Sequence, residues 1–436
     1  MPTNSHLIAP DLTHASEAGD TPAALARREF LRQMFWTAGA AGAATLGLPG
    51  MARAASTYDL ANIGALASAD ANGICLPSGF TSRVVAVSGE KPALNSSYTW
   101  HTAPDGGATY ATADGGWVYA NNSEVASGRG GVGALRFDRN GQVVNAYRIL
   151  TNTTSNCAGG ATPWGTWLSG EEYSSGRVWE CNPLGTTADA VVRPALGIFK
   201  HEAVAVDPIR KIVYLTEDET TGRFYRFVCS ASDWPSGATR PALSSGTLQV
   251  LKFKALSNNN YPGSTFNVKL ANLVEWVNVS RPAVAQSTVR ASLGSKAPGT
   301  VFKGGEGLWY FAGIVYFSTK GDNRIWAYDH AAQTLQCIYD FTTASTVNKV
   351  LSGVDNLTVS SNGDVLVAED GGNMELCVIL PDRSVKVLLR VTNQSSSEIT
   401  GPAFSPDGTR LYFNSQRGGR NGSGTGITYE VTLPSA

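Results

Sequence analysis

Residues 203–227 read AVAVDPIRKIVYLTEDETTGRFYRF: one strand-like run into a turn at Asp207-Pro208, a second ending on Glu217-Asp218-Glu219, a short gap, and a third, aromatic run. β-Branched and aromatic residues fill the runs and turn formers separate them, which predicts an antiparallel meander. The layout recurs along the chain. Residues 109–137 (TYATADGGWVYANNSEVASGRGGVGALRF) turn at Asp114-Gly115-Gly116, and residues 160–180 (GATPWGTWLSGEEYSSGRVWE) give a compressed version. Residues 307–328 (GLWYFAGIVYFSTKGDNRIWAY), 356–380 (turning at Asn362-Gly363) and 402–431 (PAFSPDGTRLYFNSQ, closing on GITYEV) complete the set. Six units at a period of about 40–50 residues are expected of propeller blades. The expected fold is all-β, a six-bladed β-propeller over residues 55–436 as a single domain. A β-sandwich would not require the third aromatic strand in each unit. An insertion at about residues 229–300, carrying Asn258-Asn259-Asn260, is expected as a long loop or lid over one face.

Composition agrees. The 436 residues include 47 Gly and 20 Pro, and only 16% are charged. A net charge of -1 and the lack of any long Lys/Arg run exclude the electrostatic footprint of a nucleic-acid or anionic-membrane binder. Small-molecule partners and a monomer are expected. At the N-terminus, Arg27-Arg28-Glu29-Phe30-Leu31 is followed by a charge-free Gly/Ala-rich stretch from Gln33 to Met51 and then by Ala52-Arg53-Ala54, which resembles a twin-arginine export signal with its cleavage site. Residues 1–54 are therefore set aside from the fold, and a periplasmic or secreted location is expected.

The few charges cluster. Glu171-Glu172, His201-Glu202, Glu217-Asp218-Glu219, Glu306, Asp355-Asn356 and Glu369-Asp370, with the weaker Asn121-Asn122 and Glu124, each flank a strand-like run. In an antiparallel hairpin the start of the first strand lies beside the end of the second. Glu202, Glu306 and Asp355 precede first strands; Glu124, Glu172, Glu217-Asp218 and Glu369-Asp370 end second strands. All therefore gather at one mouth of the channel, where carboxylates repel unless hard cations hold them.

The segments NCAGGATPWGTWLSGEE (156–172), FKHEAVAVDP (199–208), VYLTEDE (213–219), FKGGEGLWY (302–310), YFSTKGDNRIWAYD (316–329), VDNLTVSSNGDVLVAEDGG (354–372) and AFSPDGTRLYFN (403–414) together resemble the PhoX family of secreted alkaline phosphatases. That resemblance implies a six-bladed propeller exported by the twin-arginine route, hydrolysing phosphate esters with calcium and iron (Fe3+) in its central site. It implies Cys157, Glu202, Glu306, Asp355, Glu369 and Asp370 as metal ligands. The chain departs from the family at three places: SGEE for TCEE, VAED for VCED, and Gly304 where an Arg stands two residues before the Glu of the E-G motif. Lys303 and Lys320 are the nearest replacements for that Arg. The expected catalytic set is Glu202, Glu306 and Lys320. The expected metal set is Cys157, Glu171, Glu172, Glu202, Glu217, Asp218, Glu306, Asp355, Asn356, Glu369 and Asp370.

Several of these residues admit a plainer reading. Cys157 could form a disulfide with Cys181 in an oxidising compartment instead of an iron thiolate. His201 is either a ligand or a donor that orients Glu202. Asp207-Pro208, Asn362-Gly363 and Asp407-Gly408 read as turn formers, and Trp164 and Trp167 as packing between units. With five His and no G-x-S-x-G elbow, a Ser-His-Asp mechanism has no basis. A calcium-propeller hydrolase of lactones or carboxylic esters, and a binding propeller with structural calcium, stand as the alternatives.

Overall fold

The computed structural model describes residues 58–419 and 425–434; the Arg27-Arg28 signal lies outside them. The protein is all-β and propeller-like. Its strands form five hydrogen-bonded sheets, one of nine strands, one of five and three of four. Within them the same four-strand antiparallel run recurs, and each run begins with a central strand: Pro104–Ala111, Asn156–Ala161, His201–Asp207, Gly305–Phe311, Val354–Val359 and Ile399–Phe404. The nine-stranded sheet holds two runs, joined where Asn272–Asn278 pairs with Gly246–Phe253 on one side and Thr334–Asp340 on the other. The expectation of six separate sheets is corrected there. The supposed loop of 229–300 contains an outer strand, this bridging strand and the helix α1 (Gln286–Leu293).

The outer strands were not foreseen. The last run takes its outer strand from the N-terminal side of the chain: Thr81–Val87 pairs antiparallel with Ile427–Thr432, Thr81 opposite Thr432. Strands from early and late in the described residues thus share one sheet.

Central and second strands are buried almost throughout, because both faces of each sheet are covered by neighbouring sheets. Aromatic residues fill these interfaces, Phe224 stacking on Phe317 with centroids 4.2 Å apart and Tyr119 on Tyr412 at 5.3 Å. Trp167 serves packing as expected, its indole donating to Asn122 Oδ1 in the neighbouring run, and Trp164 meets Trp234 edge-on.

Around the centre the strands approach closer than side chains allow. A Cβ on Gly106 would lie 2.6 Å from Ala158 Cα, on Gly160 1.8 Å from Val204 O, on Gly307 2.3 Å from Leu357 N, and on Gly401 2.4 Å from Asp105 O. Backbone contact of this kind needs glycine. Between the central strands it leaves a cavity of about 30 Å³, lined by residues that include Gly106, Ala158, Ala203, Gly307, Asn356 and Pro402.

Candidate metal centre

Every central strand slips register at the same place. The slips fall between Pro104 and Gly107, Asn156 and Gly159, His201 and Val204, Gly305 and Leu308, Val354 and Leu357, and Thr400 and Ala403. Each is a bulge of two residues against one, a device that re-aims a side chain. The first bulged residues are Asp105, Cys157, Glu202, Glu306, Asp355 and Gly401. Second-strand side chains fix four of them: Asn122 Nδ2 donates to Cys157 O (2.9 Å), Thr216 to Glu306 O, Ser318 to Asp355 O and Asn414 Nδ2 to Asp105 O (2.9 Å).

A second tier comes from the ends of the second strands: Glu124, Glu172, Asp218, Lys320 and Asp370, each two residues past the one that faces a bulge. The two tiers meet. Oxygen and sulfur atoms of Asp105/Glu124/Cys157, of Cys157/Glu172/Glu202, of Glu202/Glu306/Asp355 and of Asp355/Asp370/Glu398 lie within 4.8 Å of one another in each group. The shared members make the four groups one continuous arc. Asp218 faces the same space and raises the carboxyls of Glu172, Glu306 and Asp355. Lys320 is the ammonium among them, 3.2 Å from both Glu306 Oε1 and Asp355 Oδ2 and 3.4 Å from Asp370 Oδ2.

Strand alternation places the remaining expected ligands elsewhere, since successive side chains point to opposite faces. In each doublet the second acid enters the mouth and the first turns back into its own sheet. Glu171 accepts from Thr154 N, Arg177 N and Trp179 Nε1; Glu217 from Arg223 N, Tyr225 OH and Arg290; Glu369 from Ser352 N and Glu375 N. In all three the backbone donor six residues on is held, so these acids clamp the loop between second and third strands. Asn356 is likewise engaged, donating to Asp355 Oδ1 and accepting from Gly401 N. His201 turns its Nε2 to Gly197 O, 3.1 Å away, and its ring against Phe199. All six cysteines are unpaired, and Cys157 Sγ donates to Glu202 Oε1 at 3.3 Å.

Asp105 and Glu398 were not foreseen, and Glu124 had only a weak signal. Gln416, just past Arg410–Ser415 of the last run, reaches across to the first, donating from Nε2 to Glu124 Oε2 and to Asp105. Arg417 pairs with Glu398 at 2.8 Å. Lys303, a proposed stand-in for arginine, rests instead over the Tyr261 ring at 4.0 Å. Gly304 has φ +63°, and a Cβ there would lie 3.0 Å from Asp218 Oδ1.

The electrostatics are those of a site built for added positive charge. Burial, then neighbouring carboxylates, push the Glu202, Asp105 and Glu306 carboxyls well above their usual range, Glu172 up to about 8 and Glu398 up to about 10. Burial opposes the charge on Lys320, but Asp355, Glu306 and Asp370 outweigh it and hold the ammonium protonated. Glu202 Oε2 and Glu306 Oε1 are buried without a hydrogen bond; Lys320 stands near the latter outside hydrogen-bonding geometry. An orphaned buried carboxylate oxygen is costly. Cations would satisfy both, and oxygen-rich groups with one thiol fit hard cations plus one ion that accepts sulfur.

The family model described as alkaline phosphatase PhoX matches residues 131–178 and 173–419, well over half of the chain. The chain belongs to the PhoX family. Among solved structures it is similar to Pseudomonas fluorescens PhoX in complex with vanadate, a transition state analogue, at 17% identity and a TM-score of 0.67, covering 87% of this chain and 98% of that one. This is a likeness of fold. A gluconolactonase from Xanthomonas campestris is more distant, at 13% identity and a TM-score of 0.43 over 87% and 100% of the two chains. No curated protein matches the chain. The PhoX match takes in every residue of the arc except Asp105 and Glu124. Among the described residues no helix is long and apolar enough to cross a membrane.

Proposed function

We propose that this PhoX-family chain is an exported, metal-dependent hydrolase of phosphate esters, working at the mouth of a six-bladed propeller. The observation that carries the reading is the convergence of nine carboxyls (Asp105, Glu124, Glu172, Glu202, Asp218, Glu306, Asp355, Asp370 and Glu398) and the Cys157 thiol, with two buried carboxylate oxygens that accept no hydrogen bond. Counting six blades treats the nine-stranded sheet as two, which the repeated central-strand bulge supports. Residues 1–54, with Arg27-Arg28, would be the export signal, leaving residues 55–436 as one domain. The working state proposed is a monomer in the periplasm or outside the cell.

Calcium, with iron beside Cys157, would supply charge neutralisation for the oxygens of the transferring phosphoryl group. Glu202 belongs to two of the groups and Asp355 to two, so these side chains would hold neighbouring cations at fixed spacing. Glu306 would complete that set. Lys320 would contact a phosphate oxygen in place of the arginine that Gly304 lacks. With only about 30 Å³ between the central strands, the mouth would be the way in for an ester and out for its products.

The test compares Glu202→Gln and Glu306→Gln with Asp407→Asn, whose carboxylate only caps the turn through Ser405 and Thr409. The first two are expected to lose bound metal and about a hundredfold or more of p-nitrophenyl phosphate hydrolysis, as removal of a principal electrostatic stabiliser does. The third should match the parent. Full metal content in both Gln variants would end the reading, and a metal-loaded parent that turns over a lactone but no phosphate ester would replace it.

A further inference from the structure

The clamp built by Glu171 and Glu217 is altered in the fifth run in a way that packing does not explain. In the second and third runs the residue six positions on is Arg177 or Arg223, and the residue eight on gives the clamp acid a donor, the Trp179 indole or the Tyr225 hydroxyl. In the fifth run those positions carry Glu375 and Cys377. A cation and an aromatic donor have been exchanged for a second carboxylate and a thiol. Ligand atoms of Glu369, Glu375 and Cys377 lie within 4.8 Å of one another, and all three side chains are at most 1% exposed.

Hydrogen bonding leaves this group incomplete. Ser352 N (2.7 Å) and Glu375 N (3.0 Å) fix the two Glu369 oxygens while each keeps a lone pair. Arg390 Nε donates to Glu375 Oε1 at 2.8 Å, and Glu375 Oε2 is buried with no partner. We propose that Glu369, Glu375 and Cys377 form a second metal site, separate from the channel arc, that binds one divalent transition ion such as zinc. Two carboxylates and one thiolate against the Arg390 guanidinium leave two negative charges, which one divalent ion balances. Carboxylate and thiolate are both ordinary zinc ligands, and the backbone donors on Glu369 orient it as donors behind metal ligands do. None of the three residues belongs to the arc, so the site does not depend on the hydrolase reading.

Cobalt(II) is the probe, because a thiolate on cobalt gives a near-ultraviolet charge-transfer band. The full-length exported protein is stripped with chelator and titrated with Co2+ in a Cys157→Ser background, which removes the arc's own thiol. The band should appear there and saturate at one equivalent. Adding Cys377→Ser should abolish it and lower bound cobalt by one ion per chain. Glu375→Gln, which keeps Arg390 hydrogen-bonded, should weaken cobalt binding at least tenfold. No band in folded Cys157→Ser protein overturns the proposal, whatever the other variants do. A band that survives Cys377→Ser overturns it equally.

Discussion

One carboxylate can be a ligand while its neighbour in sequence is a strut, and the doublets Glu171-Glu172, Glu217-Asp218 and Glu369-Asp370 show both. Sequence marked the pairs but did not separate their members, because a strand's end residue determines which of the two faces the mouth, and element ends are the least legible feature of a strand. Glu171→Gln should therefore lower stability by about 1–3 kcal/mol, a charged acceptor being removed from three part-buried donors, with metal content unchanged. Glu172→Gln should do the reverse, losing metal while the melting temperature of the metal-free protein holds or rises. Thermal melts beside elemental analysis distinguish the two patterns. Asp105 and Glu398 escaped notice for local reasons. Asp105 stands in Pro104-Asp105-Gly106-Gly107, whose composition signals a turn, and Glu398 follows Ser395-Ser396-Ser397, a polar loop signal. Only the fold shows that a bulge carries the first into the mouth.

At the scale of elements, the central and second strands were legible because they are apolar on both faces and bounded by turn formers. Outer strands such as Val143–Thr153 are half exposed and mixed in pattern, so periodicity did not resolve them. The bridging strand Asn272–Asn278 was hidden for another reason: one of its two partners, Thr334–Asp340, lies far along the chain. Glycines at the centre are the elements' contact points, which predicts large costs there. Gly160→Ala would set a methyl 1.8 Å from Val204 O, and a cost of about 3 kcal/mol or more is expected from forced overpacking. Gly64→Ala meets nothing within 4 Å and should be neutral or stabilising by about 0.4–1 kcal/mol. Denaturant midpoints of the two variants make the comparison.

For the whole molecule, acid and base act through different groups. Burial lowers the His101 and His201 imidazoles to about 3, so the folded state binds fewer protons than the unfolded one between that value and the usual 6.5. Their contribution is present above pH 6.5 and is lost on acidification. Glu172 and Glu398, raised to about 8 and about 10, act oppositely: in metal-free protein their contribution is present below pH 4.5 and is lost as pH rises through those values. Chelated protein should melt at its highest temperature in mildly acidic buffer and fall steadily toward pH 9. Calcium should abolish the alkaline fall, since a bound cation favours the carboxylates ionised. Equal melting curves with and without calcium at pH 9 would contradict the shared mouth. The pairing of Thr81–Val87 with Ile427–Thr432 sets an order on biosynthesis. Strand partners some 350 residues apart cannot meet until Ile427–Thr432 has left the ribosome. A nascent or truncated product ending before Ile427 leaves two strand edges bare, open to proteases and to pairing with a second copy. Emergence of that one strand thus becomes the checkpoint for closure, so that a missing edge rather than a faulty active site is the defect exposed to quality control.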